Sequence, residues 1–191
     1  MNGTTNSAVC RVHLLGVPLD AIDTTQLDGF LQELLFAPGS HQVVFLRTLD
    51  LLRARRNPEL KACLEKASLV VPVSRGLQRA CATLHLEPVT RFAPFDFMIR
   101  ILNNLEARHG SYYLLGDHQP YLNRTELNLK QTFPGAQPLG RYASGFNKTI
   151  EKNIKIAIAK ASPYLLLTGH GLVGKDLWVY RRADNFPRGL Q

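Results

Sequence analysis

Residues 162–178 read SPYLLLTGHGLVGKDLW, and this stretch decides the fold class. Tyr164, Leu165, Leu166 and Leu167 run without a polar break. The chain then turns through Gly169, His170 and Gly171 and continues into Lys175, Asp176 and Trp178. A short apolar run closed by glycines is the pattern of a parallel strand covered on both faces. In an open α/β sheet the loop after such a strand is where ligands bind, and glycine lets backbone approach the ligand closely.

Working outward, the same pattern recurs. Apolar runs at residues 9–15, 42–46, 68–73, 112–115 and 137–141 read as further strands. Helical spacing lies between them. Leu27, Phe30, Leu31, Leu34 and Leu35 follow the cap signal Asp23-Thr24-Thr25, and Asn57-Pro58-Glu59 opens another helix. Phe97, Met98, Ile101, Leu102 and Leu105 share a helical face, as do Ile150, Ile154 and Ile158. Alternating short strands and helices predict an α/β fold, Rossmann-like, with one mostly parallel sheet, helices on both faces and a single domain. The expected boundaries are a disordered tail at 1–8, the domain at 9–180 and a short basic tail at 181–191.

The chain has 191 residues, 45% of them hydrophobic and 20% charged, the balance of a globular protein with a sizeable core. No apolar run reaches the roughly 20 residues of a membrane span, and the polar N-terminus lacks a signal-peptide core. Three cysteines, Cys10, Cys63 and Cys81, are too few and too scattered for a disulfide framework, and Cys63 and Cys81 read as small core residues. A cytoplasmic location is expected. The net charge of +8 suits an anionic partner. Its clusters, Arg53-Ala54-Arg55-Arg56, Arg75 with Arg79, and Arg181-Arg182, are short and not interleaved with aromatics, so no nucleic-acid partner is expected. An α/β nucleic-acid binder is a reading that charge alone supports.

Four strand ends carry candidate loops: Arg47-Thr48, Ser74-Arg75-Gly76, Gly116-Asp117-His118 and Gly169-His170-Gly171. One parallel sheet would bring them to one edge and form one crevice. The fingerprints GxGxxG, GxxxxGK[ST], GxSxG and HExxH are absent. Of the six histidines no two are spaced i, i+4, so no metal site is expected; His118 and His170 sit at strand ends where a base could stand.

The pieces occur in a familiar order. These are residues 15–20, LGVPLD; residues 54–60, ARRNPEL; residues 67–72, ASLVVP; Arg91 with Asp96; Tyr113-Leu114-Leu115-Gly116; Phe133-Pro134-Gly135; Ser144-Gly145-Phe146; and residues 165–171. In this order the chain resembles the WecG/TagA/CpsF family of bacterial glycosyltransferases. The resemblance implies transfer of an N-acetylmannosamine-type hexosyl group from a UDP-sugar, without a metal or other cofactor. The implied acceptor is polyprenyl-diphosphate-linked, at the inner face of the membrane, in cell-surface polysaccharide synthesis. The strand-end loops and the matched pieces together give the expected substrate contacts, Arg47, Ser74, Arg91, Gly116, Gly145, Phe146, Gly169, His170, Gly171 and Asp176, of which the resemblance implies a phosphate contact for Arg91. Peripheral contact with an anionic membrane is expected, and a homo-oligomer stays open.

The departures fall on the chemistry. Where the family has Thr-x-Asn after the second strand, this chain has Phe45 and Arg47. Where it has Pro-Asp-Gly, with the Asp as base, this chain has Pro72-Val73-Ser74, and valine takes no proton. Two readings follow: an active transferase whose base is relocated to Asp117 or His118, or a catalytically impaired member that binds nucleotide-sugar or acts as a scaffold. The family also continues into a basic C-terminal appendage, for which Arg181, Arg182 and Arg188 are the counterparts here.

Overall fold

The first strand of the chain folds back at once rather than joining a parallel sheet. β1 (Val9–Leu14) and β2 (Val17–Ile22) form an antiparallel hairpin. The two-residue connection, Leu15 and Gly16, has φ of 52° and 75°, the doubly left-handed turn that matches strand twist. The structure is a computed structural model and describes residues 8–169, 172 and 174–191. Residues 1–7 of the tail expected at 1–8, and His170, Gly171 and Val173 in the central loop, lie outside the described residues.

The remaining elements follow in order: α1 (Leu27–Phe36), β3 (Gly39–His41), β4 (Val43–Leu46), α2 (Thr48–Ala54), α3 (Pro58–Lys66), β5 (Leu69–Pro72), α4 (Arg75–Thr83) and α5 (Pro94–Glu106). After them come β6 (Ser111–Leu115), α6 (Gln119–Thr132), β7 (Gln137–Tyr142), α7 (Lys148–Ala161), β8 (Leu165–Thr168), α8 (Lys175–Tyr180), a 3-10 turn (Ala183–Asn185) and β9 (Arg188–Leu190). The side chains of Asn57 and Asn147 accept the N–H of Leu60 and Ile150 and start α3 and α7.

The α/β class with parallel strands is as the sequence predicts, including a five-stranded parallel sheet flanked by helices. The strands expected to share one sheet, however, divide. Among the described residues β4 and β5 pair parallel with each other alone, while the five-stranded sheet has the order β3-β9-β8-β6-β7. Periodicity identifies strands but not the strand each one hydrogen-bonds. The chain accordingly gathers into two compact units, residues 1–31 with 43–100, and residues 32–42 with 101–191.

The first unit has its core in Leu14, Val17, Leu19, Val44, Leu46, Leu51, Leu64, Val70, Leu77 and Cys81. A buried ion pair ties its hairpin to β5. The Asp20 carboxylate, fully buried, accepts Arg11 Nε at 2.8 Å, Arg11 Nη2 at 3.0 Å and the backbone N–H of Val70 at 2.6 Å. Arg11 also donates to the carbonyls of Glu65 and Ala67, at the end of α3. That hydrogen bond to Asp20, against the cost of burial, holds the Arg11 pKa above its usual value.

The second unit packs Tyr113, Leu115, Ile154, Ile158, Leu166, Leu172, Trp178, Val179 and Phe186 together. Residues 181–191, expected as a basic tail, instead supply the 3-10 turn and β9. β9 sits between β3 and β8. Gly189 has φ of 101°, and a Cβ there would lie 2.4 Å from the carbonyl oxygen of Pro163, so only glycine fits this strand. Arg188 stacks 4.4 Å over the Tyr164 ring and donates to Ser162. Arg182 pairs with Glu151 and lies 4.7 Å over Trp178. These arginines are structural ties rather than a free appendage.

Candidate functional site

The candidate residues fall into one group in each unit. In the first unit, β4 and β5 run parallel, and their carboxyl ends are in register at Leu46 and Pro72. Val73 donates its N–H to Leu46 O at 3.0 Å, and Phe92 donates to Pro72 O at 3.0 Å. The Ser74 hydroxyl accepts the Thr48 N–H at 3.1 Å and lies 2.7 Å from the Thr48 hydroxyl. Ser74 stands at the N-cap of α4, yet its side chain caps α2. Arg91 donates its Nε to the Val73 carbonyl at 3.2 Å, which fixes that guanidinium at the end of β5. Val73, Ser74 and Arg91 are therefore brought together.

Arg47 is turned to its own helix: Nε reaches Asp50 at 2.7 Å and Nη2 reaches it at 3.2 Å. Asp50 also receives Arg53 at 3.4 Å. Phe45, at the place where the resemblance expects a hydroxyl, meets Phe97 edge to face at 5.7 Å, and Phe97 meets Phe92 at 5.2 Å. Val73 is buried. An aromatic cluster and an aliphatic side chain thus occupy the positions of two groups that would handle protons or orient a sugar.

In the second unit β6 lies between β7 and β8, so three parallel strands end side by side. Gly116 donates to Tyr142 O at 2.9 Å, and Gly169 donates to Leu115 O at 2.8 Å. Gly116 and Asp117 both have positive φ, 88° and 74°. A Cβ on Gly116 would meet the Cβ of Leu172 at 3.0 Å, whereas aspartate is among the few side chains that tolerate this region. The turn aims the Asp117 carbonyl at Ser144, which donates to it through its N–H at 2.9 Å and its hydroxyl at 3.0 Å. Asp117 Oδ1 accepts the His118 N–H at 2.8 Å. His118 is exposed, at the N-cap of α6, with its ring tilted on Tyr121.

Beside this edge is a cavity of about 450 Å³, lined by Gln119, Arg141, Tyr142, Ser144, Gly145, Phe146 and their neighbours. That is the size of a small-molecule site. Tyr142 meets Phe146 at 6.1 Å and Phe146 meets Trp178 at 6.5 Å, so one wall is aromatic. Arg141 pairs with Glu126, which also takes Lys130 at 2.6 Å. Beneath it, burial pushes the Tyr113 phenol above its ordinary pKa, and the neighbouring Tyr142 adds to the shift.

The structure thus joins Gly116, Asp117, Gly169 and Ser144, and places Gly145 and Phe146 on the adjoining cavity. Asp176 lies in the first turn of α8, where its carbonyl accepts Gln42 Nε2 at 2.9 Å. His170 and Gly171 are outside the described residues. Gln119, Arg141 and Tyr142 were not singled out from sequence, although Arg141-Tyr142 closes a strand as the other loops do. Among the described residues no three His, Cys, Asp or Glu side chains come together, and no helix is long and apolar enough to cross a membrane.

The model of the Glycosyl transferase WecG/TagA/CpsF family matches residues 12–190, nearly the whole chain. No curated protein matches it at a significant level.

Proposed function

The chain belongs to the WecG/TagA/CpsF glycosyltransferase family, and from that premise we propose that it binds a UDP-sugar and transfers the hexosyl group slowly or not at all. Members of a glycosyltransferase family take a nucleotide-sugar donor and an acceptor. The finer reading is that the donor is an N-acetylmannosamine-type UDP-sugar and the acceptor a hydroxyl on a polyprenyl-diphosphate-linked saccharide at an anionic membrane surface.

One observation carries the proposal. At the position where the resemblance puts a carboxylate base stands Val73, buried, its N–H held by Leu46 and its carbonyl by Arg91, with a side chain that takes no proton. A sugar hydroxyl is a poor nucleophile until a base takes its proton, and a positioned base contributes about 10²–10⁴ in rate. Each unit, taken by itself, offers a support for binding. Arg91 offers a guanidinium, whose fork geometry suits a diphosphate. The cavity at the end of β7 has an aromatic wall for a flat ring.

A second reading keeps transfer and moves the base to Asp117 or His118. It is favoured by the left-handed backbone of Asp117, an outlier of the kind that gathers at functional loops, and by the exposed His118 ring next to it. A UDP-release assay with a soluble lipid-diphosphate acceptor separates the two. The first reading expects turnover near background in the wild type, while calorimetry still detects UDP. It expects little recovery in Val73→Asp and more in the combined Phe45→Thr/Arg47→Asn/Val73→Asp variant, because residues acting as a unit are non-additive. Robust turnover by the wild type, lost in Asp117→Ala or His118→Ala, would replace the first reading with the second.

A further inference from the structure

We propose that the outward face of α2 is a docking surface for an anionic lipid bilayer. Leu49, Leu52, Arg53 and Arg56 are spaced i, i+3, i+4 and i+7, so they lie on one side of the helix and its continuation. The opposite side is anchored, with Leu51 and Ala54 buried in the first unit's core. The outward leucines are 64% and 44% exposed, a large apolar exposure on two adjacent helical positions. With Arg53, Arg55 and Arg56 they border a shallow hollow of about 410 Å³.

The occupant follows from the chemistry of that border. Apolar side chains flanked by arginines match the boundary between acyl chains and phosphate headgroups, where leucine enters the apolar layer and arginine reaches back to the phosphates. The charges facing the surface favour an anion. Arg55 and Arg56 are exposed, and Arg53 is exposed while it touches Asp50 at 3.4 Å. Asp50 is itself shared with Arg47, which leaves the helix end cationic. A nucleic-acid surface would use the arginines but give the leucines nothing to enter. The inference rests on the reading of a lipid-linked acceptor only for its purpose, which is to hold the protein where that acceptor is; the geometry of α2 stands without it.

The experiment is co-sedimentation of the full chain with phosphatidylcholine vesicles and with vesicles rich in phosphatidylglycerol, across a salt series. Binding is expected on the anionic vesicles only, and to weaken with salt. Arg53→Ala/Arg55→Ala/Arg56→Ala should lower the partition coefficient by about 100-fold. Leu49→Ser/Leu52→Ser should lower it by about tenfold or more. Arg75→Ala/Arg79→Ala removes two exposed charges on α4 and should change it by less than about threefold. Emission from Leu49→Trp should shift to the blue on anionic vesicles and be quenched by brominated acyl chains.

UDP titration of every variant separates this proposal from the functional one, since the α2 variants should bind UDP as the wild type does. Equal losses per charge in the α2 and α4 variants would mean net charge alone drives binding, and would overturn the proposal. An unshifted Leu49→Trp emission would overturn it too. Dimerisation in the absence of vesicles, abolished by the leucine variant, would assign the face to a second copy instead and would equally overturn it.

Discussion

Replacing Asp20 by Asn tests how β5, the strand that leads into Val73 and Ser74, is held. The carboxylate accepts three N–H groups, two from Arg11 and one from Val70, with no exposure to solvent. Asn keeps the size but exchanges one acceptor oxygen for an NH₂ group. That group must then face either the guanidinium or the Val70 N–H, donor against donor. Breaking a buried ion pair from one side costs about 3–5 kcal/mol. Arg11 is 30% exposed and keeps the carbonyls of Glu65 and Ala67, so the cost moves to the lower end of that range, about 3 kcal/mol. Against a total stability of about 5–15 kcal/mol this is a large fraction. Urea unfolding followed by circular dichroism should show a lower midpoint at an unchanged slope. The double variant Arg11→Met/Asp20→Leu should be less damaged than the sum of its single variants, with a residual cost for the unpaired Val70 N–H. A loss below about 1 kcal/mol in Asp20→Asn, or additive single variants, would refute the reasoning.

Two further outcomes are expected. Gly116→Ala should weaken UDP binding by at least about tenfold, because a Cβ would press on Leu172 and φ of 88° disfavours alanine; unchanged calorimetry would separate this turn from the ligand. Burial raises the phenols of Tyr112 and Tyr113 above 10.0, so their contribution to stability is complete below the unfolded value near 10 and is lost as pH rises above it. Alkaline difference spectra should show the Tyr112 and Tyr113 phenols ionising late, together with unfolding. The Tyr112 hydroxyl is buried with no partner among the described residues, so Tyr112→Phe should be neutral or stabilising in thermal melts.

The parts of this fold that were legible in sequence are those that bury continuous apolar side chains. The runs at Val43–Leu46, Ser111–Leu115 and Leu165–Thr168 announce strands, and Asn57 and Asn147 announce helix starts. The hairpin at Leu15 was hidden because a leucine, not an asparagine or glycine, takes the first left-handed position. β3 and β9 were hidden because Gly39-Ser40-His41 and Arg188-Gly189-Leu190 carry almost no hydrophobic pattern; they are strands because of their neighbours. In the candidate site, Val73, Ser74 and Arg91 were legible through family spacing. The Arg47 contact with Asp50, the Phe45 contact with Phe97 and the cavity at Arg141 and Tyr142 depend on side-chain direction, which spacing does not specify.

The position of β9 also governs when the larger sheet can close. Among the described residues β3 has β9 as its one sheet neighbour, and Gly39 pairs with Arg188, roughly 150 positions later. During synthesis, Gly39–His41 must wait unpaired until nearly all of this chain has emerged. Until Arg188–Leu190 arrive, β8 lacks its pairing partner at Leu165, where Leu190 will sit. An open edge on an apolar strand is a template for pairing between chains. A chain cut or stalled before Arg188 would therefore offer Gly39–His41 and the Leu165 end of β8 for pairing with another chain.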